Sequence, residues 1–170
     1  SLANSTAAEK LAVELGDRHR LGWATAYVAR DLQLVGRPGA SMVSAARALE
    51  FADGDRSLTR AAQYFGAQAA YSRGDYADSA ATLRKLIHDL ESRDPLAWAG
   101  TPGPSVIFYR AWLVWALSQQ GHADESVAVA RVMRSLADEV NLPLCRTIAH
   151  LSEGFALALA GRPAEAEVTL

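Results

Sequence analysis

The chain has 170 residues, half of them hydrophobic, which is enough for a domain with a substantial core. Seventeen basic residues against nineteen acidic ones leave a formal net charge of -2, so the basic stripe that a nucleic-acid surface needs is missing. The longest apolar stretch, "AWLVWAL" from Ala111, is far short of the ~20 residues of a membrane span.

No N-terminal segment joins a basic region to an apolar one, and a single cysteine, Cys145, excludes an internal disulfide. Together these readings place the expected location in the cytoplasm. Alanine makes up about a fifth of the chain, and valine, isoleucine and threonine never alternate as strands require. Helix is the expectation throughout.

In chain order, "TAAEKLAVEL" comes first, with Thr6 and Glu9 spaced for a capping box. It reads as the second helix of a preceding unit. The basic run "GDRHR" from Gly16 reads as a solvated connection. An apolar and aromatic helix is then expected over Leu21 to Val35, and an alanine-rich one over Gly39 to Ala52. The same alternation continues through Thr59 to Arg73 and Tyr76 to Leu90. It resumes with Val106 to Gln120, Ala123 to Val140, Thr147 to Ala160 and a last segment from Pro163. About eight or nine helices result. Pro38 and Pro163 fit first helical turns, where a missing N–H costs little.

Between Glu91 and Ser105, "ESRDPLAWAGTPGPS" holds three prolines and two glycines, so an ordered or semi-ordered loop is expected. Its Trp98 either marks a contact site or, on the simpler reading, folds back over the adjacent helix pair.

The punctuation repeats. Gly36, Gly74, Gly121 and Gly161 each follow an apolar helix, at intervals of 38, 47 and 40 residues. A second landmark, "LGDR" at Gly16 and "DGDR" at Gly54, shares the interval of 38. Each unit has an apolar face that only a neighbouring unit can bury. Ala67, Ala69, Ala70, Leu83 and Leu86 are expected in the core, with Leu113, Leu117, Ala130 and Met133. Because the pattern opens and closes inside a repeat, the chain reads as one domain, residues 1–170, excised from a larger multidomain protein.

The phrase "AQAAYSRGDYADSAATL", from Ala67 to Leu83, resembles a tetratricopeptide repeat. Ala67 stands in the small slot of the first helix, Gly74-Asp75-Tyr76 at the turn, and Ser79 in the small slot of the second helix. Gly154 and Ala166 fill the two slots in the last unit. Val114 is larger than the pattern wants, and Pro38 and Ala123 replace the turn tyrosine. The resemblance implies an all-α, right-handed superhelix of antiparallel helix pairs with an inner, concave face. That face would carry Trp23, Ala26, Arg30 and Gln33, then Tyr64, Gln68 and Tyr71. Phe108, Ala111, Trp115 and Gln119 would follow, and Leu151, Phe155 and Leu159 would complete it.

The stretch from Pro104 to Pro143 also resembles the C-terminal helical region of bacterial signalling proteins with ATPase and adenylate/guanylate cyclase modules. Similar arrays occur in large ATP-dependent transcription regulators. This implies a non-catalytic module that binds a protein or peptide, with exposed end helices as a route to self-association. The alternative implied is a small-molecule sensor whose aromatic surface holds a metabolite.

No motif for catalysis is present. His19, His88, His122 and His150 are scattered, so no metal or cofactor is implied. Arg146 could activate Cys145 if both were exposed, but a small apolar residue at a helix start is the simpler reading. Asp75, Asp78, Asp124 and Glu125 sit where second helices begin and complement their positive ends.

Overall fold

A computed structural model describes all 170 residues as nine α-helices without a strand. They form two compact units, Ser1–Asp75 and Tyr76–Leu170. No helix is long and apolar enough to cross a membrane.

The first unit holds α1 (Leu2–Glu14), α2 (Arg18–Leu34), α3 (Pro38–Glu50) and α4 (Arg56–Arg73). The caps explain the boundaries. Asp17 accepts the Arg20 N–H at 2.9 Å, and Asp55 accepts those of Ser57 and Leu58 at 2.8 and 3.0 Å. The "GDRHR" run is largely exposed, as expected, but only Gly16 and Asp17 belong to the connection: Asp17 caps α2, and Arg18 to Arg20 form its first turn. Helix α4 ends at Gly74, whose φ of 89° is open to glycine at no steric cost.

The expected capping box at Thr6 and Glu9 does not form, because α1 already begins at Leu2. Instead the Glu9 carboxylate accepts the Thr25 hydroxyl at 2.8 Å and pairs with Arg47 at 3.4 Å, tying α1 to α2 and α3.

Helix α2 packs against α1, α3 and α4. Gly22 allows the closest approach. A Cβ there would meet Leu58 Cδ2 at 2.6 Å and Phe51 Cβ at 2.9 Å. Leu58, Ala61, Ala62 and Phe65 are consequently sealed from water, and burial of a leucine or phenylalanine contributes about 1.5–3 kcal/mol.

The second unit contains α5 (Tyr76–Arg93), α6 (Ser105–Gln119), α7 (Ala123–Val140), α8 (Pro143–Leu159) and α9 (Pro163–Thr169). Helix α6 is apolar nearly all round and packs against α5, α7 and α8. Val114, Val127, Ala130, Ala156, Leu157 and Ala166 form one cluster in its core. Helix α8 begins at Pro143, four residues before the expected Thr147, since proline is accommodated at its first position. All nine expected core residues are buried across the two units.

Helix α5 runs three residues into the expected loop, and its last turn carries Glu91, which pairs with the buried Arg110 of α6. The loop is ordered by Ser105. Its N–H donates to the Ala97 carbonyl at 2.9 Å, and its hydroxyl accepts the Ala99 N–H at 2.7 Å. Trp98 does not fold back: it is 58% exposed, while the small Ala99 beside it takes the buried position.

Candidate functional site

In the first unit the turn at Asp55 and the faces of α2 and α4 create an aromatic ladder. Trp23 and Tyr27 lie 6.0 Å apart between ring centroids, Tyr27 and Phe65 6.1 Å, and Phe65 and Tyr64 5.6 Å. Arg30 crosses the Tyr27 ring at 4.8 Å and donates to Asp31 at 2.9 Å. Gln33 donates to the Ser72 hydroxyl at 3.0 Å.

The residues expected on the inner face of this unit thus divide. Trp23, Arg30, Gln33 and Tyr71 are half-buried and reach solvent, whereas Ala26, Tyr64 and Gln68 are buried. Tyr27 is the residue the sequence reading passed over. It stands four residues after Trp23 and three before Arg30, a helical spacing that could have flagged it.

Two carboxylates set the electrostatics. Burial alone would raise the Asp55 carboxyl. The Leu58 N–H, the His19 ring, the Ser57 N–H and the Trp23 indole outweigh burial and hold it below the ordinary carboxylate range. At Asp31, burial likewise raises, but hydrogen bonds from Arg30 and Ser5 and the nearby positive charge bring the carboxyl down.

An open trough of about 610 Å³ runs between α1 and α2, lined among others by Leu11, Leu15, Trp23 and Tyr27. A smaller one of about 370 Å³ adjoins it at Ala8, Ala24 and Tyr27 and reaches Arg30.

In the second unit, Phe108 and Ala111 are buried, so they pack and do not present. Trp115 is half-buried, packs against the core cluster, and meets Trp112 edge-on at 4.9 Å. Gln119 is exposed and Phe155 half-buried, while Leu151 and Leu159 are 50% and 52% exposed.

The remaining reactive groups have structural roles. Cys145 is fully buried, which pushes its thiol pKa up, and Arg146 turns away to Asp138 at 3.4 Å. His19 bonds Asp55 at 2.9 Å, and His150 bonds the Thr169 carbonyl oxygen at 2.9 Å. No three His, Cys, Asp or Glu side chains converge as metal ligands would.

No family model matches the sequence, and no curated protein matches it either. Solved structures do. A Podosopora anserina protein described as a putative kinesin light chain with nearly identical TPR-like repeats superposes with a TM-score of 0.71 at 16% identity, over 99% of this chain and 81% of that one. A substituted form of those same repeats gives a TM-score of 0.74 at 15% identity, with the same coverage. At such identities the likeness concerns architecture: this chain has the all-α, TPR-like helical-repeat fold.

Proposed function

We propose that the chain is a non-catalytic protein-interaction and regulatory module of a bacterial signalling protein. It binds a protein or peptide segment through first-helix faces and biases an ATPase or adenylate/guanylate cyclase elsewhere in a larger parent. The TPR-like fold supports the interaction role, and the resemblance of Pro104 to Pro143 supports the parent class. The observation that carries the reading is what the stacked helices leave reachable. Trp23, Tyr27, Arg30 and Tyr71 in one unit, and Trp115, Gln119 and Phe155 in the other, all keep contact with solvent. Tryptophan, tyrosine and arginine are the residues that most often anchor protein interfaces. The troughs are open on their solvent side, which favours a docked segment over an enclosed metabolite.

The test is selection of binding peptides from a random displayed library, followed by titration against variants. Tyr71→Ala and Trp115→Ala are each expected to weaken a selected peptide by about tenfold or more, the loss of a moderate hot spot. Peptides that bind both variants as tightly as the unaltered chain would rule out this surface. Addition of the peptide to the full-length parent should then change its nucleotide turnover.

A further inference from the structure

We infer that the strip made by Trp115 and Gln119 on α6 and by Phe155 and Leu159 on α8 docks an uncharged, proline-rich segment of a partner protein. The repeat itself shows that further helices of an array do not cover this strip. Its residues stand six and two positions before the turn glycines Gly121 and Gly161, where the first unit has Arg30 and Leu34 before Gly36. Helix α4 packs against α2, and still Arg30 is half-buried and Leu34 70% exposed. The second unit repeats the observation: α8 packs against α6, yet Trp115 stays half-buried and Gln119 exposed. A following helix leaves these positions open.

Chemistry selects the occupant. No ionisable residue occurs from 111 to 120 or from 154 to 161. The charges just before these stretches, Arg110 and Glu153, are buried and paired with Glu91 and Arg134. A charged side chain set down on the strip would lose water and gain no counter-ion. The polar groups on offer are mainly donors, the Trp115 indole N–H and the Gln119 carboxamide, and neither is bonded within the protein. An ordinary extended segment brings an N–H with every carbonyl and would press unpaired N–H groups against carbon. Proline brings the carbonyl without the N–H. A helix fits poorly, because Trp115 closes the seam between α6 and α8 against the cluster of Ala156 and Leu157 and leaves a ledge for a rod about 10 Å wide. A polyproline II segment suits such a ledge: its rings lie on aromatic faces and its free carbonyls take up the donors. Trp112, edge-on to Trp115 at 4.9 Å, supplies a wall beside the first ring. Trp115 and Gln119 are one turn or about 6 Å apart, the advance of two polyproline II residues.

This inference rests on the interaction-module reading and names the partner's chemistry at one part of that face. The probe is a fluorescein-labelled peptide of prolines and leucines, beside one with alanine for proline and one with glutamate for leucine. Anisotropy titrations should show the proline–leucine peptide binding about tenfold or more tightly than either control. Gln119→Ala, at an exposed position, and Trp115→Phe, which keeps the ring but loses the indole N–H, should each weaken it about threefold or more. Leu159→Asp, also at an exposed position, should weaken it about tenfold or more by placing a charge on the ledge. Trp98→Ala should bind as the unaltered chain does. Equal affinity for the proline and alanine peptides, indifference to both Gln119→Ala and Leu159→Asp, loss of binding in Trp98→Ala, or no binding at about 1 mM would overturn the dock. The two readings fail separately: library peptides that Trp115→Ala weakens but that hold no excess of proline would keep the interaction face and overturn only this occupant.

Discussion

The Ser41 hydroxyl donates to the carbonyl oxygen of Ala29 at 2.7 Å, and 85 residues later Ser126 makes the same bond to Val114 at 3.1 Å. Both serines are fully buried in second helices and hold the first helix of their own repeat. Ser79 occupies the same repeat position, yet its buried hydroxyl has no partner. Replacement with alanine should separate the three. Ser41→Ala loses one bond, and Ser126→Ala loses two because its hydroxyl also meets that of Ser118 at 2.7 Å, at a cost of about 1 kcal/mol per bond. Ser79→Ala removes an unsatisfied polar atom and should be neutral or slightly stabilising. Urea unfolding followed by circular dichroism measures all three, and equal losses would contradict the assignment.

A different dependence belongs to Asp55, which accepts from Ser57, Leu58, His19 and, at 3.3 Å, the Trp23 indole. Its folded pKa lies below the unfolded value of about 3.9. The unfolded chain therefore takes up the proton first as pH falls. The stabilisation is complete above the unfolded pKa and is lost as pH drops through the folded one. Asp55→Ala should cost about 1–2 kcal/mol at neutral pH as a lost cap. It should also flatten the acid limb of the stability profile below about pH 4. A variant whose acid limb matches that of the unaltered chain would remove Asp55 from this role.

Much of this architecture is written locally. The glycines at Gly36, Gly74, Gly121 and Gly161 all carry positive φ, so each marked a true helix end. Helix starts were less legible. Asp17 and Asp55 are N-caps hidden among charged neighbours, and a run such as "GDRHR" looks the same whether it is solvated turn or first helical turn. Polar side chains that tie helices across the fold were invisible: Glu9 in α1 suggested a cap, yet its partners Thr25 and Arg47 lie 16 and 38 positions away. The inner-face assignment carried Ala26 because the family pattern counts positions, whereas packing decides exposure. Tyr27, one residue on, is the side chain that reaches the surface.

Glu153 on α8 is 5% exposed and faces two arginines of α7, Arg134 at 3.0 Å and Arg131 at 3.7 Å. The arginines are 40% and 55% exposed, so they keep much of their hydration without the acid. The costs should be unequal. Glu153→Leu leaves two solvated cations and should cost about 1 kcal/mol or less. Removing both arginines strands a buried carboxylate and should cost about 3 kcal/mol. The comparison needs only urea midpoints and slopes of the two variants. A Glu153→Leu loss exceeding that of the double arginine variant would invert the argument.

The loop before α6 gives the last test, because its order and its most conspicuous side chain have separate origins. Trp98 is 58% exposed and no hydrogen bond holds its indole in the loop, whereas Ser105 bonds both Ala97 and Ala99. Trp98→Ala should therefore change stability by less than about 0.5 kcal/mol. Ser105→Ala keeps the N–H bond to Ala97 but leaves the buried Ala99 N–H without its acceptor, at a cost of about 1–3 kcal/mol. Iodide quenching reports the same division in fluorescence: the quenchable share of emission should fall in Trp98→Ala, since Trp23, Trp112 and Trp115 are only half-exposed. An unchanged quenching curve would place the indole against protein, and the loop would then owe its order to the tryptophan instead of the serine.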